Sequence, residues 1–394
     1  MDNLKLGIIN IIKAALSGEK QVLPEDFNLN NAFSIAKRHS ISPIFYYGAI
    51  NCGIDNSDPM MQQLFMDTCM NVASSERQMH EIKNLFMQFE NEDIDYLPLK
   101  GTIIKSLYPK PEMRVMGDAD ILIKIEQYDK IKPLVEKMGY TEIAESLCEL
   151  IWDKKGVLHL ELHKAITPPN VEDFYEYFGS GWSKAKSVEN NKNRFELSLE
   201  DHFIFIFTHF ARHYRSGGIG IKHMTDIWVY KNAYPNMDYS YIEAELKKLN
   251  LYDFYVNILD TLNVWFSDKK GDSKTDFITE VIFDNGVFGK RSNELLSEAV
   301  KNSKKTRNIK EAKFKKIFWM IFLPYNLMCL KYPFLKKLPF LLPIMWIVRG
   351  ITSLFYRKDK IMDNLEQLNT LNKADIDARR QSLNFVGLDF NFKE

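Results

Sequence analysis

Cysteine is scarce. The chain has four in 394 residues, and Cys52, Cys69, Cys148 and Cys329 form no CxxC pair. That scatter excludes a disulfide scaffold and a zinc ribbon, and it reads as reduced core thiols in an intracellular, cytoplasmic chain. Charge imbalance is missing as well. Lys+Arg and Asp+Glu stand at 52 each, so no global field favours nucleic acid or a membrane. With 18 glycines and 14 prolines, the composition is neither collagen-like nor linker-rich, and there is no internal repeat or low-complexity tract. No apolar run reaches the roughly 20 residues that a spanning helix needs. The opening MDNLKLGIINIIKAAL carries Asp2 and polar breaks, and it reads as an amphipathic helix and not a signal peptide.

What is present is apolar material, 45% of the residues, enough for two or three domains with real cores. Residues 1–90 show helical spacing, notably AFSIAKRHSISPIFYYGAI and Met60 to Phe89. From Ile94 the texture changes. Tyr96–Leu99 is a short apolar run that ends at Lys100-Gly101-Thr102. Ile103–Leu107 resumes a helical pattern, which Tyr108-Pro109-Lys110-Pro111 breaks. Asp120–Ile125 reads as a strand, Tyr128–Met138 as a helix stopped by Gly139, and VLHLELH (Val157–His163) as an alternating strand. Residues 94–165 are therefore expected to form a compact unit of strand, turn, helix, strand, helix and strand within a core of residues 91–185. Helical texture returns over 186–300. Ser198 precedes Asp201 as in a capping box, IFIFTHFARHY ends near Gly217-Gly218, and a further helix runs from Lys222 through Tyr230.

The stretch RVMGDADILIKI (114–125) raises the chemical question. In a strand, Asp118 and Asp120 share one face while Ile121, Ile123 and Ile125 take the other. Two carboxylates side by side are costly unless a cation neutralises them. Mg²⁺ (or Mn²⁺) does so with hard oxygen ligands and leaves positions open for phosphate and water. The bland alternative is a solvated pair in a turn. VLHLELH adds Glu161 on the polar face of a second strand, with His159 and His163 beside it. These histidines either orient the acid or sit on a wet strand surface. A third carboxylate near the first two would complete a phosphoryl-transfer site. Lys100-Gly101-Thr102 opens a helix whose N–H groups would suit a phosphate, although an ordinary strand–helix turn explains it equally. Arg114 offers a planar fork, to phosphate or to the aspartates themselves.

LKGTIIKSLYPKPEMRVMGDADILI and LHLELHK together resemble the polymerase-β type of nucleotidyltransferase superfamily. The similarity is closest to a bacterial nucleotidyltransferase-like family often found near polysaccharide and cell-surface biosynthesis genes. Weaker echoes are LNNAFSIAKRHSISPIFYYGAI, HFARHY, IKHMTDIWV and the terminal LNFVGLDFNF, so the likeness extends over nearly the whole chain. It implies an α+β fold, a mixed-sheet core with large flanking helical segments, and transfer of a nucleotidyl group from an NTP with loss of pyrophosphate. It also implies metal binding by Asp118 and Asp120, and by Glu161 as the third carboxylate, which would also deprotonate the acceptor. Gly101 and Thr102 fall where the superfamily has Gly-Gly or Gly-Ser for the triphosphate. Lys-Gly-Thr departs from that pattern. A related set of toxins that nucleotidylate tRNA also uses a Lys-Gly turn, which leaves the acceptor open and nucleic acid among the candidates.

His209 and His213 are one helical turn apart, with His202 seven residues before His209. As a zinc site this lacks an acid or cysteine partner. The resemblance instead places this helix beside the nucleotide cleft, with His209, His213, Lys222 and Asp226 facing base, ribose or phosphate. Residues 301–394 form a last region. The basic run KNSKKTRNIKEAKFKK (301–316) precedes IFWMIFLPYNLMCL and LPFLLPIMWIV. Two readings stand: helices packing their apolar faces on the rest of the protein, which is favoured, or peripheral attachment of 301–356 to the inner, anionic face of a membrane. The expected function is Mg²⁺-dependent nucleotidyl transfer to an unknown acceptor, such as a cell-surface polysaccharide precursor. The rivals are a toxin-like enzyme acting on tRNA or protein, and a catalytically degenerate, membrane-adjacent binding module.

Overall fold

Short stretches between Ile94 and Glu196, the central ones apolar, build one sheet, and amphipathic helices on both sides of them in sequence cover it. The structure, a computed structural model, describes residues 1–169, 172–267, 269–286, 322–356 and 373–388, with positions 293, 296, 297 and 318. Four helices come first: α1 (Asn3–Ser17), α2 (Leu29–Arg38), α3 (Ser42–Cys52) and α4 (Pro59–Asn91). Each of three starts on a side-chain cap: Asp2 for α1, Asn28 for α2 and Asp58 for α4 accept backbone N–H bonds, which satisfies donors the helix leaves open. At 33 residues, α4 runs about 50 Å and lays its last turns across the sheet.

Seven strands follow: β1 (Tyr96–Pro98), β2 (Ala119–Ile123), β3 (Thr141–Glu145), β4 (Glu149–Lys154), β5 (Leu158–His163), β6 (Lys186–Val188) and β7 (Asn191–Glu196). Their order is β3-β4-β5-β2-β1-β7-β6. The sheet is mixed: β2 runs parallel to β5 and β1 parallel to β7, while the other neighbours are antiparallel. Between β1 and β2 lie α5 (Gly101–Ile104) and two short 3₁₀ turns, and α6 (Tyr128–Lys137) links β2 to β3.

The expected strand, turn, helix, strand, helix and strand are all present, with four differences. The β3–β4 hairpin precedes β5, and the β6–β7 hairpin extends the sheet beyond residue 185. Strand β2 ends at Ile123, and Ile125 sits 45% exposed in a 3₁₀ turn. The helix after Gly101 is four residues long and tightens into 3₁₀ geometry over Lys105–Leu107, because the prolines at 109 and 111 stop it.

One sheet face packs Ile121, Ile123, Leu158, Leu160 and Leu162 against Ile82, Leu85 and Phe89 of α4 and Ile131 and Val135 of α6. The alternation of LHLELH is what sends its leucines there. The other face carries Leu97, Leu99 and Leu122 into a larger core that includes α1 and α3 and the helices α8 (Leu199–Ser216), α9 (Ile221–Ala233), α10 (Tyr239–Lys248), α11 (Tyr252–Phe266) and α12 (Ser273–Asn285). The helices before and after the sheet thus share one core. The seven-residue α7 (Glu172–Phe178) joins it through Phe174 and Phe178.

Three later helices are described: α13 (Tyr325–Lys331), α14 (Leu342–Tyr356) and α15 (Lys373–Phe385). Helix α15 returns to the large core through Ile376 and Leu383, followed by Val386 and Leu388. Residues 322–356 instead pack on one another, around Met328, Cys329 and Leu335. The basic run 301–316 lies outside the described residues. Among the described residues, no helix is long and apolar enough to cross a membrane.

Candidate active site

The register of two parallel strands brings the carboxylates together. Asp120 on β2 pairs directly with Glu161 on β5, so both side chains leave the same sheet face, away from the leucines. The antiparallel register on the other side of β5 sets Glu149 opposite His163. His163 is buried, and its Nε2 lies 2.8 Å from Asp120 Oδ1 and 3.6 Å from Glu161 Oε2. Asp120, Glu161 and His163 each offer a ligand atom within 4.8 Å of the others, close enough together to hold a metal ion. Asp118, just ahead of β2, is half-buried and lines the same cavity, but it is not a member of that close group.

Electrostatics divide the two strand carboxylates. Burial pushes the Asp120 carboxyl up, but the Lys100 ammonium 2.7 Å away and the His163 bond outweigh it and hold Asp120 well below the usual carboxylate range. Burial, with Asp120 and Asp118 nearby, pushes Glu161 up to about 8. The two adjacent acids are driven apart in this way: one is neutralised by a lysine and the other holds its own proton.

Lys100 reaches Asp120 from a strained backbone, at φ 43°, where a side chain is uncommon. The next residue must be small for a reason that sequence alone hides. A Cβ on Gly101 would lie 2.8 Å from Arg114 Nη1 and 3.4 Å from Met116 Sδ. That guanidinium is pinned. Arg114 Nε and Nη2 donate to Asp226 Oδ1 and Oδ2 at 2.8 and 2.9 Å, and Tyr108 Oη donates to Oδ1 at 2.7 Å, all three residues being buried. Arg114 and Asp226, expected at the nucleotide, therefore border the cavity as a mutual pair that ties the β2 approach to α9. Thr102 does not line the cavity, and its hydroxyl donates to the Leu99 carbonyl at 2.6 Å. The four-residue α5 also offers little dipole to a phosphate.

Across the cavity, about 430 Å³ in volume, stands a nitrogen-rich wall. From α8 come His209, Arg212 and His213, one helical face at three- and four-residue steps; from α9 come Lys222 and His223. His209 and His213 touch through their Nε2 atoms at 3.1 Å, and Arg212 Nη2 lies 3.4 Å from His213 Nε2. Burial, then nearby Arg212 and Lys100, lowers His213 to about 3; His209 and His223 are also held well below the usual imidazole range. The imidazoles are thus neutral at pH 7, and the basic side chains at the cavity are Lys100, Lys222 and Arg212, the last two with pKa lowered by burial. Lys222 Nζ lies 3.5 Å from the Val115 carbonyl. His202 faces elsewhere, with Nδ1 3.2 Å from Tyr230 Oη. Among the described residues, the close ligand group contains no member of the 202/209/213 stripe, so the zinc reading gains nothing.

Read from sequence alone, Arg212, His223 and Glu149 were missed as site residues. Arg212 was findable from its spacing to His209; nothing local marks the other two. The family described as "Uncharacterised nucleotidyltransferase" matches residues 25–267, from α2 to the end of α11. The chain belongs to this nucleotidyltransferase family. The match takes in the whole sheet, both walls of the cavity and the carboxylate group. No curated protein and no solved structure was found to match. Acids on the sheet thus face basic side chains from two helices across one cavity.

Proposed function

We propose that the chain transfers a nucleoside monophosphate from an NTP to an acceptor, releasing pyrophosphate, and that the sheet is a polymerase-β-type core. The parallel register of Asp120 with Glu161 carries this reading. It turns two acids 41 positions apart (161 − 120) into one metal-competent group, while Asp118 lines the same cavity. A divalent cation fits the donor set on an observation independent of family: Glu161 retains a proton and Asp120 holds an ammonium at the positions a cation would neutralise. Bound there, Mg²⁺ or Mn²⁺ would supply charge stabilisation at the phosphoryl oxygens.

The chain's own groups then have separable roles. Asp118, Asp120 and Glu161 hold the cation, with His163 fixing the Asp120 carboxylate. Lys100, Lys222 and Arg212 bind triphosphate charge, and neutral His209 and His213 hydrogen-bond it or the sugar. Glu161, once ionised, accepts the acceptor's proton. The cavity volume is at the lower end of the usual range for small-ligand sites, which supports a small acceptor group, such as that of a cell-surface precursor, over a folded macromolecule. A tRNA or protein acceptor is the competing outcome. Thermal unfolding with each of ATP, CTP, GTP and UTP, with and without Mg²⁺, tests the reading. A Mg²⁺-dependent rise in Tm with at least one NTP, lost in Asp118→Asn/Asp120→Asn, is expected. A rise that persists in that variant, or no rise with any nucleotide, contradicts it.

A further inference from the structure

We propose that α14 and the residues before it form a docking face for an anionic lipid bilayer. Helix α14, LPIMWIVRGITSLFY, contains one charged residue, Arg349. Its inner stripe, Leu342, Met345 and Trp346, packs on the Met328–Leu335 cluster, and Trp346 Nε1 donates to the Leu323 carbonyl at 2.8 Å. The outer stripe is apolar too. Ile344, Ile347, Val348 and Ile351 follow helical steps, and Ile347 is 64% exposed; just before the helix, Phe340 is 71% exposed. A helix on a water-facing surface normally presents polar groups on that side. A contiguous apolar stripe on the surface marks an interaction site, and no described residue covers this one.

Charge selects the occupant. Residues 301–360 contain fifteen Lys or Arg and two Asp or Glu, a net +13, and since the chain sums to zero the remainder carries −13. The basic side chains lie on both sides of the apolar stripe in sequence, and Lys336 and Lys337 are exposed just before it. Apolar insertion and a polybasic flank are the two signals that together give stable attachment where one gives only marginal binding. Helix α14 has 15 residues, about 22 Å of rise against a hydrocarbon thickness of about 30 Å, so it lies in the interface and does not span it. The inference is independent of nucleotidyl transfer, because none of these residues borders the cavity.

Co-sedimentation of the full chain with vesicles tests it, using phosphatidylcholine alone and phosphatidylcholine mixed with phosphatidylglycerol. The chain is expected to pellet with the anionic vesicles, weakly with the neutral ones, and less as salt rises. Ile347→Glu/Ile351→Glu, at exposed positions where folding is not at risk, should lower the bound fraction about tenfold or more, and Lys336→Glu/Lys337→Glu should lower it as well. Asp118→Asn/Asp120→Asn should pellet like the parent. Equal pelleting of the isoleucine variant, or no preference for anionic vesicles, overturns the proposal. So does a concentration-dependent dimer in sedimentation velocity that the same isoleucine variant abolishes, which would make a second copy the occupant.

Discussion

Replacing Asp226 by asparagine or leucine tests whether the Arg114–Asp226 pair holds the molecule together or awaits a ligand. In the structure Asp226 accepts three hydrogen bonds at 2.7–2.9 Å, two from the Arg114 fork and one from Tyr108, and only 3% of its surface is exposed. Removing one partner of a buried ion pair leaves an uncompensated charge and costs about 3–5 kcal/mol. Asp226→Asn keeps one acceptor oxygen but turns an NH₂ toward Arg114, so about 3 kcal/mol is expected. Asp226→Leu should reach the upper end. The double variant Arg114→Met/Asp226→Leu removes both charges, and it should be more stable than Asp226→Leu alone, because no buried charge remains. Urea unfolding followed by circular dichroism measures this, provided the m-value is unchanged. If Asp226→Asn stays within about 1 kcal/mol of the parent but weakens nucleotide binding, the pair is a ligand site and the structural account of it fails.

Glu161 sets a pH dependence. Its folded pKa of about 8 lies above the ordinary 4.5, so between those values the folded state holds more protons than the unfolded one and metal-free stability falls as pH rises. Metal binding must expel the proton, so Mn²⁺ affinity should rise about tenfold from pH 6 to pH 7 and level off above about 8. Calorimetry in buffers of different ionisation enthalpy should register about one proton released near pH 7, and Glu161→Gln should abolish the trend; a flat pH profile in the parent would count against it. Gly101→Ala should lower stability by about 1–3 kcal/mol, because its Cβ meets a guanidinium that Asp226 prevents from moving; an unchanged unfolding midpoint would show that Arg114 yields.

Much of the site was legible because strand periodicity is local. VLHLELH alone assigned Glu161 and His163 to one face and three leucines to the other, and RVMGDADILIKI did the same for Asp120. Sequence did not reveal what depends on distant pairing. Arg114 and Asp226 are 112 positions apart, and the reason for Gly101 follows only from their bond. The β6–β7 hairpin was missed because Asn191–Glu196 is a polar stretch, NKNRFE, with little apolar alternation; its place beside β1 is a tertiary choice that overrides local pattern. The short helix after Gly101 was overestimated because a helical spacing of five residues cannot show where nearby prolines will tighten it. In the last region 373–388 pack on the large core, while 323–346 form a cluster of their own and α14 leaves an apolar stripe outside.

The most direct test of the central claim supplies the protein, Mg²⁺ and a cell lysate with NTP labelled at the α-phosphate in one reaction and at the γ-phosphate in another. Nucleotidyl transfer predicts that the α label becomes attached to an acceptor, that the γ label leaves as pyrophosphate, and that Asp118→Asn/Asp120→Asn does neither. Attachment of the γ label, or of either label by the double variant at the parent's rate, would contradict the account.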